Sequence, residues 1–185
     1  MAWIDPLMAA WERAMRRLAF VLGGLTLAVV VLVFAQVLLR YVLPVLGAQW
    51  GFIAMQEAVQ MLHSTVFMLG AVVALHSNQH VRVDILQSRW PARAKALAEL
   101  LGTLLFLLPF CGFLMVISYD YVASSWAALE SSAEAGGLPG VYLWKSLLLL
   151  SAALLLLQGL VMVLQQWQRW RAAGRVAGPA TDSAP

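Results

Sequence analysis

The fold of this chain is decided by residues 52–86, FIAMQEAVQMLHSTVFMLGAVVALHSNQHVRVDIL. The first two-thirds of this stretch are apolar enough to cross a membrane as a helix. Within that helix, polar side chains fall on about one third of the circumference at 3.6 residues per turn; they are Gln56, Glu57, Gln60, His63 and Ser64. A polar stripe is costly in hydrocarbon, so we expect it to face protein or water.

The composition excludes an ordinary soluble domain. The chain has 185 residues, of which 62% are hydrophobic and 11% are charged. Four apolar runs, at about residues 18–39, 52–75, 97–118 and 141–164, each reach the ~20 residues that a helix needs to cross a bilayer. Because lipid offers the backbone no hydrogen-bond partner, helices are the default structure for these runs. The sequence therefore predicts an all-α integral membrane protein with four transmembrane helices.

Three regions are expected along the chain. Residues 1–17 are predicted to form an N-terminal interfacial amphipathic helix, with Leu7 and Trp11 on its apolar face and arginines on the other. Residues 18–170 form the four-helix membrane domain. The rest, residues 171–185, is predicted to be a disordered C-terminal tail.

The basic residues predict the orientation. Of the 12 lysines and arginines, all but Arg40 and Lys145 lie before the first span, between the second and third, or after the fourth. The positive-inside rule then places both termini in the cytoplasm. This topology and attraction to the inner leaflet account for the high isoelectric point, so we expect the lipid bilayer and no nucleic acid as a partner.

Several local features carry their own predictions. Pro109 should kink the third helix, which is expected to continue outward to about Glu134, so that Glu130 and Glu134 share a face. In the fourth helix, hydrogen-bonding side chains recur every seven residues on one seam; they are Ser151, Gln158 and Gln165. Arg82 and Asp84 form a plausible charged pair in the linker after the second helix. Glu57 could pair either with Arg40 or with a partner protein, and the sequence leaves both open.

No catalytic, cofactor or metal site is predicted, so the chain is not expected to be an enzyme. The three histidines all come from the second helix and its end. Haem ligation across the bundle would need a histidine on a second helix. A haem-bearing membrane anchor of an oxidoreductase is an alternative, but the sequence has no histidine on a second helix to complete the haem ligation. A small proton-coupled four-helix exporter using Glu57 is another alternative, although such exporters are shorter and carry their acid in the first helix.

Two motifs resemble those of a known family. Gln56-Glu57, Gly70 and the run from His80 to Leu86 are similar to the small membrane subunit, or Q component, of tripartite ATP-independent periplasmic (TRAP) transporters. The stretch from Glu130 to Gly136-Gly137-Leu138-Pro139 resembles members with a longer external loop. The resemblance covers about residues 15–170.

The resemblance implies a set of partners in a bacterial inner membrane. A large membrane (M) subunit would carry the sodium-coupled, elevator-type transport domain, and a periplasmic substrate-binding (P) protein would deliver a small organic acid. The chain itself would be a scaffold that binds no cofactor, with Na⁺ coupling in the partner subunit. Residues expected at the partner interface, or in a structural role, are Gln56, Glu57, Gln60, His63, Arg82 and Asp84. Glu130 and Glu134 are expected to help dock the binding protein.

Overall fold

A computed structural model of the chain describes residues 4–45, 53–77 and 90–176. All regular elements within these ranges are helical: α1 (Ile4–Val45), α2 (Ile53–His76), α3 (Ala92–Gly102), α4 (Leu108–Ala127) and α5 (Val141–Val176). A five-residue π-helical turn, Thr103–Leu107, joins α3 to α4 without a break. Four spans are long and apolar enough to cross a membrane: Pro6–Val42, Ile53–His76, Ala92–Ala127 and Val141–Ala172. The predicted all-α fold with four membrane-spanning helices is confirmed.

Helix α5 is the centre of the bundle. It packs against α2, α3 and α4, whereas α1 packs mainly on α2. A close approach at Gly159 explains part of this packing, because a Cβ atom there would lie 2.8 Å from Leu108 Cδ2. Small residues at such crossings let helix backbones come together in a membrane, where the hydrophobic effect does not drive association. Helix α5 is accordingly the most buried of the four spans.

The polar seam of α5 differs from the predicted one at its last position. Ser151 and Gln158 are buried as expected, but Gln166 is buried in place of Gln165. At this level α5 packs against α3, and Gln166 lines a space with Ala92 and Ala96 of that helix. The neighbouring helix, rather than the seven-residue repeat, therefore decides which of the two glutamines is buried.

A π-helical turn lies just before Pro109, where a kink is predicted. The backbone N–H of Leu108 donates to the carbonyl of Thr103, five residues back. Proline offers no N–H and its ring clashes with the carbonyl four residues earlier, here Leu105. A π-bulge widens the helix by one residue and relieves that clash.

Helix α4 ends earlier than predicted. It stops at Ala127, so the predicted continuation to about Glu134 is wrong. Leu129 adopts a positive φ of 45°, and the flanking backbone bonds run from Leu129 N–H to the Trp126 carbonyl and from Glu130 N–H to the Ser125 carbonyl. This is a Schellman motif, which caps the last helical carbonyls and reverses the chain. Glu130 and Glu134 therefore lie in the α4–α5 loop (residues 128–140) and share no helix face.

The first and the last helix both extend beyond the predicted membrane spans. The described part of the predicted amphipathic segment forms the first turns of α1 and runs without a break into the first span. Helix α5 continues to Val176, so residues 171–176 of the predicted tail are helical. Residues 177–185, and the linker with His80, Arg82 and Asp84, lie outside the described ranges.

Candidate functional site

The α4–α5 loop is fastened to α2 by one acidic side chain. Glu57 Oε2 accepts the backbone N–H of Leu138 at 2.6 Å, and Glu57 Oε1 accepts the hydroxyl of Ser132. The loop also closes on itself, because the Ser132 N–H donates to the Leu138 carbonyl at 3.2 Å. We call Glu57, Ser132, Gly137 and Leu138 the Glu57 latch. It joins the beginning of α2 to the loop that precedes α5.

Gly137 is the residue that lets this latch close. A Cβ atom at this position would lie 2.8 Å from Glu57 Oε1 and closer still to the Ser132 side chain. The glycine in the Gly136-Gly137-Leu138-Pro139 motif is thus explained by close backbone approach. The sequence left open whether Glu57 pairs with Arg40 or with a partner. Within the described residues its carboxylate binds the loop, and no ion pair joins it to Arg40.

A second acid ties the loop to α4 and α5. Glu130 Oε2 lies 2.5 Å from Lys145 Nζ on α5 and accepts the Ser125 hydroxyl of α4 at 2.6 Å. The Lys145 ammonium also lies 4.2 Å from the centre of the Tyr121 ring. The lysine, followed by the serine hydroxyl, holds the pKa of Glu130 below its ordinary value. The Glu130 carboxylate is therefore engaged by α4 and α5 although its side chain is 38% exposed, whereas Glu134 is exposed.

The predicted polar stripe of α2 divides into two parts. Glu57 belongs to the latch, and the Ser64 hydroxyl donates to the Gln60 carbonyl at 2.8 Å, four residues back in its own helix. The side chains of Gln56, Gln60 and His63 are exposed. Across residues 4–45, 53–77 and 90–176, none of these three side chains makes a hydrogen bond. We call them the exposed stripe.

An apolar groove lies beside the exposed stripe, between α1 and α2. Its volume is about 590 Å³. It is lined by His63 of α2 and by one face of α1, consisting of Thr26, Val29, Val30, Val33, Phe34 and Val37. His63 thus belongs both to the exposed stripe and to the lining of the groove.

Three helices meet in a hydrogen-bond network at the end of the bundle that carries both termini. The indole N–H of Trp11 on α1 donates to Gln158 Oε1 on α5 at 2.7 Å. Nδ1 of His76, the last residue of α2, lies 3.2 Å from the same oxygen. Gln158 is buried. The sequence pattern placed Gln158 on a packing seam but did not indicate that Trp11 and His76 contact it. The predicted apolar face around Trp11 was the one sign that this part of α1 packs against other residues.

The polar side chains buried within the described ranges carry no charge; they are Thr103, Ser118, Ser125, Ser151, Gln158 and Gln166. The same part of the chain contains no group of three or more histidine, cysteine or acidic side chains placed to hold a metal ion.

The comparisons with known proteins agree with this geometry. The family model described as "Tripartite ATP-independent periplasmic transporters, DctQ component" matches residues 29–169. No curated protein matches the chain. The matched range begins inside the first span, Pro6–Val42, and ends inside the last, Val141–Ala172. It includes the exposed stripe, the Glu57 latch and most of the central helix α5. The chain thus belongs to the DctQ family, the small membrane components of TRAP transporters.

Proposed function

We propose that this chain is the scaffold subunit that supports the large, elevator-type membrane subunit of a sodium-coupled TRAP transporter. The transporter would take up small organic acids delivered by a periplasmic binding protein, and both termini of the chain would lie in the cytoplasm of a bacterial cell. The family match supports the membership in the complex. The roles of the two membrane subunits, scaffold for this chain and transport for the large subunit, are what we propose.

The observation that carries the proposal is the exposed stripe. Gln56, Gln60 and His63 lie on a span long enough to cross the bilayer, yet their side chains are exposed. Polar side chains inside a membrane are costly unless they meet protein or water. Interhelical hydrogen bonds are the usual remedy. A large membrane subunit beside α2 would supply such partners.

The absence of buried charge within the described residues supports a non-transporting role. Carriers of polar solutes place ionisable or ion-coordinating groups near the middle of the membrane. Here Glu57 is engaged by the loop, which also argues against an exporter that would use this acid as its proton carrier. Na⁺ coupling is accordingly assigned to the large subunit.

We assign the proposed docking of the binding protein mainly to Glu134. Glu130 is paired with Lys145, so its charge is largely compensated. Glu134 and Asp120 are exposed. Exposed charges chiefly change association rates and their salt dependence. We expect Glu134→Lys to slow binding-protein-dependent uptake most at low ionic strength, while Glu134→Gln has a smaller effect; equal uptake rates for all three proteins at every salt concentration would exclude this role.

Arg82 and Asp84 remain assigned to holding the linker against helix ends or the partner. Truncating one member of a partly buried charged pair typically costs ~2–5 kcal/mol, because the other charge loses its partner. Asp84→Ala should therefore lower the yield of the complex and leave the solute affinity of the remaining complex nearly unchanged. A large change in affinity with normal assembly would assign these residues to solute binding instead.

The main test is co-expression with the large subunit and the binding protein, followed by purification through a tag on this chain. The triple variant Gln56→Leu, Gln60→Leu, His63→Leu should insert into the membrane but lose the large subunit. Gln168→Leu, an exposed glutamine outside the stripe, is the control and should retain it. Uptake of organic acid by liposomes that contain this chain alone would contradict the proposal, as would a haem spectrum of the purified chain.

A further inference from the structure

We infer that the groove between α1 and α2 is the seat of one transmembrane helix of the large subunit, and that this helix presents a hydrogen-bonding side chain at the level of His63. The inference rests on the proposed function and adds the surface and the chemistry of the contact. It commits to a protein helix rather than to lipid or to a second copy of this chain.

The dimensions of the groove suit a helix. Its α1 face runs from Thr26 to Val37, which is about 16 Å at 1.5 Å per residue and equals three helical turns. The side chains of Val30, Val33, Phe34 and Val37 on this face are all exposed. These apolar side chains form a concave surface into which a ridge of small or aliphatic residues on another helix can pack.

His63 argues against lipid as the occupant. It lies ten residues after Ile53, the first residue of α2, so it is about 15 Å along the span and near the middle of a ~30 Å hydrocarbon core. An acyl chain can neither donate to nor accept from an imidazole. A helix with a hydroxyl or amide side chain at that depth can do either, since a neutral imidazole carries one donor and one acceptor nitrogen.

The shape of the surface argues against a second copy of this chain. In a two-fold symmetric dimer the same patch lies on both partners. Two identical grooves placed face to face would leave an unfilled space between them, and such voids lose packing contacts. A convex surface of different sequence is needed to fill the groove.

Photocrosslinking in the assembled complex tests the inference. A benzoylphenylalanine replaces Val33 in the groove or, as the control, Val116, which is an exposed valine of α4 outside the groove. After illumination, we expect an adduct with the mass of the large subunit from position 33 and none from position 116. A dimer of this chain from position 33, large-subunit adducts of equal yield from both positions, or adducts from position 116 alone would overturn the inference.

Substitutions give a second measurement. Val33→Trp should lower the fraction of chain recovered with the large subunit about tenfold, because overpacking a fitted surface weakens it by this order, while Val116→Trp leaves it unchanged. His63→Ala should also lower the recovery, and His63→Gln should restore much of it by keeping a donor and an acceptor. Recovery that is insensitive to Val33→Trp would overturn the inference. If the wild-type chain does not retain the large subunit at all, the proposed function fails first, and the inference falls with it.

Discussion

Glu57 Oε2 accepts the backbone N–H of Leu138 at 2.6 Å, although 81 residues separate the two in sequence. The bond fixes the loop between α4 and α5 against the beginning of α2. With the ion pair of Glu130 and Lys145, it joins three of the four spans at the loop end of the bundle. In the proposed scaffold role, these contacts would hold the loop end of the bundle in one arrangement beside the large subunit.

Gly137→Ala should open the Glu57 latch. The added methyl group would overlap the Ser132 side chain and approach Glu57 Oε1, so the loop would have to move away from α2. We expect a lower melting temperature and faster amide exchange at Leu138, measured on the purified protein. Gly112→Ala is the control, since no atom lies within 4 Å of a Cβ built there. Equal effects of the two substitutions would contradict the assigned role of Gly137.

The pairing of Glu130 with Lys145 should appear as a pH dependence of stability. The folded-state pKa of Glu130 is lowered, first by Lys145 and then by Ser125. A lowered pKa means that the stabilisation is fully present above the ordinary glutamate range, near ~4.3, and is lost as the pH falls through the lowered value. We expect the melting temperature of the wild-type protein to fall in this acidic range.

Glu130→Gln should make that fall smaller and should lower the melting temperature at neutral pH, because the ion pair is gone at every pH. The matched control is Glu134→Gln, since Glu134 is an exposed acid of the same loop with no ion pair among the described residues. It should leave the pH profile close to that of the wild type. If Glu134→Gln changes the pH profile more than Glu130→Gln does, Glu130 is not the group that makes the stability sensitive to acid.

Leu129→Gly should stabilise the end of α4. Leu129 holds a φ of 45° at the position of the Schellman motif where glycine is favoured. A left-handed conformation costs an L-residue about 1 kcal/mol relative to glycine. Leu129 is 66% exposed, so little packing is lost on substitution. Thermal unfolding should rank Leu129→Gly above both the wild type and Leu129→Ala; a glycine variant less stable than the alanine variant would show that the side chain matters more than the backbone.

The hydrogen bond from Trp11 to Gln158 should couple α1 to α5. Gln158→Leu leaves the indole N–H without its acceptor, and Trp11→Phe removes the donor. Interhelical hydrogen bonds in membranes contribute about 1 kcal/mol. A double-mutant cycle on unfolding in detergent should therefore give a coupling energy of about that size. Additive effects would mean that the two side chains act independently, and Gln168→Leu should show no coupling to Trp11→Phe.

The number and the approximate position of the membrane spans were predictable, because a span is a local property of consecutive apolar residues. Three of the helical spans nevertheless run well beyond the predicted bounds. The end of α4 was not predictable. Leu129 is an unfavourable residue for the conformation that ends this helix, and the loop contacts of Ser125, Glu130 and Lys145 that accompany it come from three separate elements.

The residue pattern alone was enough to establish four spans, a polar stripe on α2 and a likeness to TRAP transporter subunits. It could not decide which stripe residues turn inward. Glu57 is one residue from Gln56, yet only the folded loop places Ser132 and Leu138 within reach of its carboxylate. The burial of Gln166 instead of Gln165 has a similar cause. The packing of α5 against its neighbouring helices decides which of its side chains are buried. Hydrogen bonds between distant residues depend on how complete helices pack, and periodicity within one helix carries no information about its partner.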